Sequence, residues 1–155
     1  MLEGDKAAPQ ARAGLDAQRF QELWLALART PWKSLALVPV DPDGSSAEVA
    51  AGLADAGSQL SDGQVVVVAA DPLDSSPSSN KALASRVASM RQGRGASQLL
   101  VALAPVIVQP LGAVIARRAD AAVLCVRLGR SRLADTRRTI ALIGEERVAG
   151  AIVVG

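Results

Sequence analysis

Five short apolar segments constrain the fold of this 155-residue chain more than any other feature of its sequence. Each is a continuous run rich in Val, Leu and Ala, without the alternation of apolar and polar residues that marks a strand with one wet face. Continuous runs of this length are typical of strands that are buried on both faces. The pattern therefore predicts a parallel sheet covered by helices, with strands at residues 34–40, 64–70, 98–103, 121–128 and 148–154.

The segments between these runs have the spacing of amphipathic helices. A first helix precedes the first strand, where four large apolar residues recur at the i, i+3, i+4 and i+7 positions of one helical face. They are Phe20, Leu23, Trp24 and Leu27. Further helices are predicted over residues 46–56, 80–91, 111–118 and 133–143. Alternating strands and helices predict an α/β fold of three layers, a mostly parallel five-stranded sheet with helices on both faces.

The length of the chain predicts one domain. Residues 1–14 carry charges and proline without an apolar pattern, so we expect a flexible leader there and the domain over residues 15–155. No apolar run reaches the roughly 20 residues of a membrane span, and no signal peptide is visible. These features predict a cytoplasmic protein.

Missing residue types exclude several kinds of chemistry. The chain has no His and one Cys, which excludes His-based acid–base catalysis, the usual zinc sites and an internal disulfide framework. Cys125 lies within an apolar run and is expected to be a small buried hydrophobe. We accordingly predict no metal and no cofactor.

The loop after the first strand lies where an open α/β sheet binds its ligand. A phosphate-binding loop at this position needs glycines for close backbone approach and a Lys for the phosphate charge. The loop contains Asp41, Asp43, Gly44, Ser45 and Ser46, and no Lys. The two carboxylates would repel a triphosphate, whereas backbone N–H groups at the start of the next helix could hold a weak anion. A helix N-cap with a Ser/Asp turn is the structural alternative.

Several stretches together match a known family pattern. They are the helix before the first strand, the loop after it, the segment QVVVVAADPLD, and a C-terminal series with Ala119-Asp120, Arg-Leu-Gly-Arg-Ser-Arg at residues 127–132 and Arg-Val-Ala-Gly at residues 147–150. From about residue 15 onward, the chain resembles the MinD/ParA-type deviant P-loop ATPases. It is most similar to the cytoplasmic ATPase domain of bacterial tyrosine kinases of capsular and exopolysaccharide synthesis. The resemblance implies a P-loop NTPase-like fold.

Carried over position by position, the catalytic residues of that family are missing here. The P-loop Lys falls on Ser45 or Ser46, and the hydroxyl that holds magnesium falls on Ser46 or Ala47. The second strand leads into Asp71, which is the only remaining acid of the family's Asp-x-Asp. The metal-associated Asp after the third strand is replaced within residues 102–105. Phosphoryl transfer needs charge neutralisation, nucleophile positioning and metal placement, so we predict a pseudo-ATPase with no catalytic residue.

Two surfaces are candidates for binding a partner. The helical stripe that contains Phe20 and Trp24 is either core or a docking or dimerisation surface. A basic cluster near the C-terminus is either a solvated face or a patch for an acidic protein, a membrane surface or nucleic acid. The absence of aromatic residues in this cluster argues against nucleic acid. Its members are Arg127, Arg130, Arg132, Arg137 and Arg138.

Three functions are open at this point. The first is a non-catalytic regulatory or scaffolding module that binds a protein. The resemblance suggests a membrane polysaccharide co-polymerase or an ATPase paralogue as its partner, which would bring it to the inner face of the membrane, and a homodimer is also open. The second is a divergent nucleotide-binding protein with little or no hydrolysis. The third is a MinD/ParA-like positioning accessory that binds membrane or DNA through its Arg cluster.

Overall fold

The computed structural model describes residues 16–69, 77–90 and 97–154 of the chain. The predicted leader at residues 1–14 and the acid Asp71 lie outside these ranges. Helices and strands alternate along the described residues, and a 3₁₀ turn, Glu145–Arg147, precedes the last strand. The elements are α1 (Ala17–Leu27), β1 (Ser34–Pro39), α2 (Ala47–Leu60), β2 (Val65–Ala69), α3 (Pro77–Met90), β3 (Gln98–Ala102), α4 (Gly112–Arg118), β4 (Ala121–Arg127), α5 (Leu133–Ile143) and β5 (Val148–Val154).

The five strands form one sheet in the order β2-β3-β1-β4-β5. Every pair of neighbouring strands is parallel, with Leu37 opposite Ala102 on β3 and Val38 opposite Leu124 on β4. The predicted α/β class and five-stranded sheet are therefore confirmed, and the sheet is parallel throughout the described strands. β1 lies at its centre and is buried at every position, which explains why its sequence is continuously apolar.

The helices cover both faces of the sheet and form a separate core on each. On one face, α1 and α2 pack with Leu35 and Leu37 of β1. On the other face, α3, α4 and α5 pack with Ala36 and Val38. Successive side chains of a strand point to opposite faces, so one central strand contributes to both cores.

The predicted boundaries hold within a residue or two for the strands, and α5 has the predicted limits. The prediction that the second helix ends before Gly57 is wrong, because α2 continues to Leu60. A Cβ atom added at Gly57 would lie 2.6 Å from the Trp24 ring of α1. The glycine therefore allows two helices to pack closely, and it does not end the helix.

Asp120 aligns the two central strands at their amino ends. Its carboxylate accepts hydrogen bonds from the backbone N–H groups of Lys33 (2.6 Å) and Ser34 (3.2 Å). The Asp120 N–H in turn donates to the Ser34 hydroxyl at 3.0 Å. This reciprocal contact joins the start of β1 to the start of β4. The carboxyl ends of these two parallel neighbours therefore also lie side by side.

We predict that Gly57→Ala destabilises the protein by about 1–2 kcal/mol, because steric overlap with the buried Trp24 ring outweighs the higher helix propensity of Ala. Urea unfolding monitored by Trp fluorescence measures this change. Gly150→Ala is the matched control, because no atom lies within 4 Å of a Cβ placed there. An equal or stabilising effect at Gly57 would contradict the role assigned to this glycine.

Candidate functional site

The strand order places a crevice at the carboxyl ends of β1 and β3. After β1 the chain crosses to β2 over one face of the sheet. After β3 it crosses to β4 over the opposite face, so the loops after β1 and β3 lead toward opposite faces. Such a switch point is the usual ligand site of open α/β sheets. A cavity of about 690 Å³ lies there, between the β1–α2 loop and the segment that joins β3 to α4.

The walls of this cavity are mostly small or apolar. The segment after β3 contributes Leu103, Ala104, Pro105, Val108 and Leu111. Asp43 is the only ionisable side chain among the described lining residues, and none of those residues is Lys or Arg. The described part of the cavity therefore offers no cation to a phosphate group.

Ser46 attaches the end of the β1–α2 loop to the residue that follows β3. Its side chain is buried and donates a 2.9 Å hydrogen bond to the carbonyl oxygen of Leu103. Ser46 is the N-cap residue of α2, but its hydroxyl makes no capping bond. The hydroxyl of Ser45 instead accepts from the N–H of Ala47 at 3.2 Å. The predicted N-cap thus has the expected position, while the hydroxyl of Ser46 joins the start of α2 to the end of β3.

Asp41 is a buried carboxylate that joins the β1 and β4 ends. It is 2% exposed, and its Oδ2 lies 3.0 Å from Nε of Arg127. The N–H direction of Arg127 does not meet hydrogen-bond geometry, so this contact is an ion pair. The other oxygen of Asp41 accepts a hydrogen bond from the Ser131 hydroxyl, which itself accepts from the Arg127 backbone N–H at 2.8 Å. The negative charge of Asp41 is therefore balanced within the protein by the Arg127 guanidinium.

Asp43 is held much more loosely than Asp41. Its side chain is 69% exposed and lies 3.5 Å from Arg130 and 3.8 Å from Arg127. Gly44 completes this turn, because its N–H donates to the Asp41 carbonyl at 3.0 Å. A Cβ on Gly44 would lie 3.0 Å from the Asp41 carboxylate, so the glycine accommodates the buried acid.

The arginine cluster is divided by these contacts. Two members of the predicted basic cluster pair with acids of the β1–α2 loop, Arg127 with Asp41 and Arg130 with Asp43. The other three, Arg132, Arg137 and Arg138, are exposed at the start of α5 and along it. They form no ion pair with any other described residue of the chain.

The α1 stripe belongs mainly to the core. Trp24 is 3% exposed and packs edge-to-face on Trp32, with ring centroids 5.4 Å apart. This burial corrects the partner-docking interpretation for Trp24. Phe20 is half-buried, and a Cβ on Gly52 of α2 would fall 2.3 Å from its ring. Both aromatic side chains therefore join α1 to α2.

Sequence reasoning missed the apolar rim of the cavity and the role of Ser131. Val108 and Leu111 are 60% and 37% exposed. They follow β3 in a Pro-rich stretch without periodicity, so no pattern distinguished exposed from buried apolar residues. Ser131 meets Asp41 only because β1 and β4 are neighbours in the sheet, and their order cannot be read from chain position.

The thiol of Cys125 is not available for chemistry in the folded protein. Burial on β4, with a smaller effect of the nearby Asp41 charge, raises the pKa of Cys125 to about 12. The reactive thiolate is therefore almost unpopulated at neutral pH. The described residues also contain no group of three or more acids or Cys that could hold a metal ion. None of the described helices is both long and apolar enough to cross a membrane.

Comparisons with known proteins agree with the fold and do not indicate which activity the protein has. No protein-family model matches the chain, and no curated protein is significantly similar to it. Among solved structures, the chimerical protein CapA2B2 is similar with a TM-score of 0.64. The alignment covers 88% of this chain and 83% of that chain at 12% identity. This similarity shows that the two chains share a fold.

Magnesium nucleotide, the usual ligand of that fold, does not fit the described residues. The loop that would surround the phosphates carries the exposed carboxylate of Asp43, and none of the described residues that line the cavity is a cation. The hydroxyl of Ser46 that would approach the metal is bonded to Leu103. We therefore derive no step of phosphoryl transfer at this site.

We predict that Asp41→Asn lowers the free energy of unfolding by about 2 kcal/mol, because it removes the closer and more buried of the two counter-ions of the partly buried Arg127 guanidinium. Asp43→Asn is the matched control and should change stability by less than about 0.5 kcal/mol, since its pairs are long and exposed. Denaturant titration of both variants tests the difference. Equal effects would show that Asp41 is not the anchor of the two loops.

Proposed function

We propose that this protein is a non-catalytic relative of the polysaccharide-associated tyrosine kinase/ATPase domains, acting as a protein-binding regulatory or scaffolding module. The observation that carries the proposal is the internal bonding of the β1–α2 loop. Asp41 is paired with Arg127, and Ser46 is bonded to Leu103. Ser46, one of the positions on which the magnesium-binding hydroxyl of the family falls, is therefore bonded within this chain.

The electrostatics of the crevice support the absence of catalysis. Transfer of a phosphoryl group requires cations that neutralise charge in the transition state. The two arginines nearest the loop, Arg127 and Arg130, are already paired with its carboxylates. A triphosphate would have to displace Asp43 and overcome the charge of both acids before it gained either guanidinium.

The shape of the crevice supports protein binding. An apolar cavity with Val108 and Leu111 exposed at its rim fits the apolar side chains of a partner segment. Solvent-exposed apolar residues beside a cavity are more common at interaction sites than at random surface positions. The proposed partner, a cytoplasmic segment of a membrane polysaccharide co-polymerase or an ATPase paralogue, comes from the resemblance of the sequence.

A divergent nucleotide-binding protein is the second candidate. The position of the cavity at the strand switch point favours it, and its volume lies within the roughly 300–1,000 Å³ of small-molecule sites. Backbone N–H groups near Gly44 to Ser46 would have to replace the missing Lys. A MinD/ParA-like accessory is the third candidate and would rely on Arg132, Arg137 and Arg138, the arginines not paired with the loop.

We predict that ATP, ADP or GTP at millimolar concentration, with or without magnesium, leaves the melting temperature unchanged. A nucleotide present at a hundred times its dissociation constant would add about 2.7 kcal/mol of stability, which corresponds to a shift of several degrees. Differential scanning fluorimetry measures the shift, and a phosphate-release assay measures hydrolysis. A magnesium-dependent rise would favour the second candidate and would overturn the proposal.

Protein binding is tested separately with purified cytoplasmic segments of polysaccharide co-polymerases and with ATPase paralogues from the same genome. Val108→Asp places a charge at the cavity rim and should weaken binding about tenfold or more. Leu60→Asp is the matched control, because Leu60 is exposed at the far end of α2, away from the crevice. Binding of none of these proteins, or equal loss with both variants, would contradict docking at the crevice.

A further inference from the structure

Helix α5 presents opposite charges at the two ends of its exposed surface. Arg137 and Arg138 are exposed in the middle of the helix, and Arg132 is exposed at its start. Glu145 and Glu146 are exposed directly after its end. Neither the arginines nor the glutamates form an ion pair with another described residue. The α5 surface is therefore a charged face whose two halves lack partners within the described chain.

Small residues lie on either side of Arg138 along the exposed side of the helix. Ala134 and Ala141 are exposed on the same side of the helix as Arg138, with spacings of four and three residues. This spacing keeps the three residues in one line along a helix. Alanines on such a line let another helix approach closely without steric conflict. At the arginine end, Leu133 is 65% exposed and adds apolar surface.

This charge distribution is complementary to itself when one copy is reversed. A two-fold axis through the surface near Ala141 sets two α5 helices antiparallel, with the Arg137 and Arg138 end of each copy opposite the Glu145 and Glu146 end of the other. The contact is made twice, as in any two-fold interface. We propose that two copies of this chain associate through their α5 surfaces in this antiparallel arrangement.

A second copy fits this surface better than a uniformly charged partner does. An anionic membrane or a nucleic acid would meet Glu145 and Glu146 as well as the arginines, and the glutamates would repel it. The same charges attract a reversed copy at both ends. Asp135, in the first turn of α5, is the only acid within the helix itself and is only partly exposed.

The proposed association depends on salt and concentration. Ion pairs between exposed side chains are individually weak and are screened by added ions. The dimer should therefore form at high protein concentration and low ionic strength and dissociate as salt is added. The α5 surface and the crevice are different sites, so the association does not depend on the proposed function.

Sedimentation velocity over a range of protein concentrations tests the proposal, at about 50 mM and about 500 mM salt. Arg137→Glu with Arg138→Glu makes both of the contacting ends acidic and should weaken self-association on the order of tenfold or more, because like charges then face each other. Glu145→Arg with Glu146→Arg makes both of the contacting ends basic and should have the same effect. Circular dichroism and thermal melting establish that both variants are folded.

Mixing the two variants is the decisive measurement. The acidic variant and the basic variant carry complementary charges at both contacting ends, so their mixture should form a heterodimer. The chain with all four substitutions has its charges exchanged end for end and should again form a homodimer. Arg19→Glu with Arg29→Glu is the control, because it reverses two exposed charges of similar kind on and after α1. Its self-association should equal that of the unmodified protein.

Three outcomes would overturn the proposal. A protein that sediments as a monomer at every concentration and low salt has no such interface. A dimer that tolerates the α5 charge reversals uses another surface. Folded acidic and basic variants that remain monomeric after mixing would show that the charges of α5 do not face one another.

Discussion

The buried carboxylate of Asp41 is the interaction on which the functional end of this molecule depends. A carboxylate removed from water requires a counter-charge and hydrogen-bond donors, and here both come from the end of β4 and its loop, through Arg127 and Ser131. Because the acid follows β1, its pairing ties together the loops after two neighbouring strands. The geometry of the β1–α2 loop is therefore set by charge neutralisation within the chain.

The same pairing limits the charges that the crevice can offer to a ligand. The parallel sheet still produces a crevice where the loops after β1 and β3 diverge. Around that crevice, Ser46 is bonded to the β3 end, and the nearest guanidinium groups are paired with carboxylates. What remains open to solvent is a mostly apolar cavity with Val108 at its rim, and none of its described lining residues is Lys or Arg.

The predictions that succeeded rest on local pattern. Strands buried on both faces must be apolar at every position, so their number and approximate limits are visible in the sequence. Gly144 ends α5 with a positive φ of 96°, as glycine commonly does. Gly57 looked like a similar stop signal, but its role is set by the Trp24 ring, which is distant in sequence. A glycine that ends a helix and one that allows close packing are indistinguishable without the partner.

The sequence by itself determined the fold class, the position of the ligand crevice after the first strand, and the absence of the Lys that a phosphate site requires. These properties depend on residue types and on their periodicity along the chain. Only the tertiary structure decided which charges neutralise one another: Asp41 with Arg127, and Asp43 with Arg130. Pairing depends on strand order, and β1 lies beside β4 because of sheet packing that no local pattern encodes. For that reason five arginines that form one cluster in sequence divide into two that pair with acids of the β1–α2 loop and three that form no ion pair with another described residue.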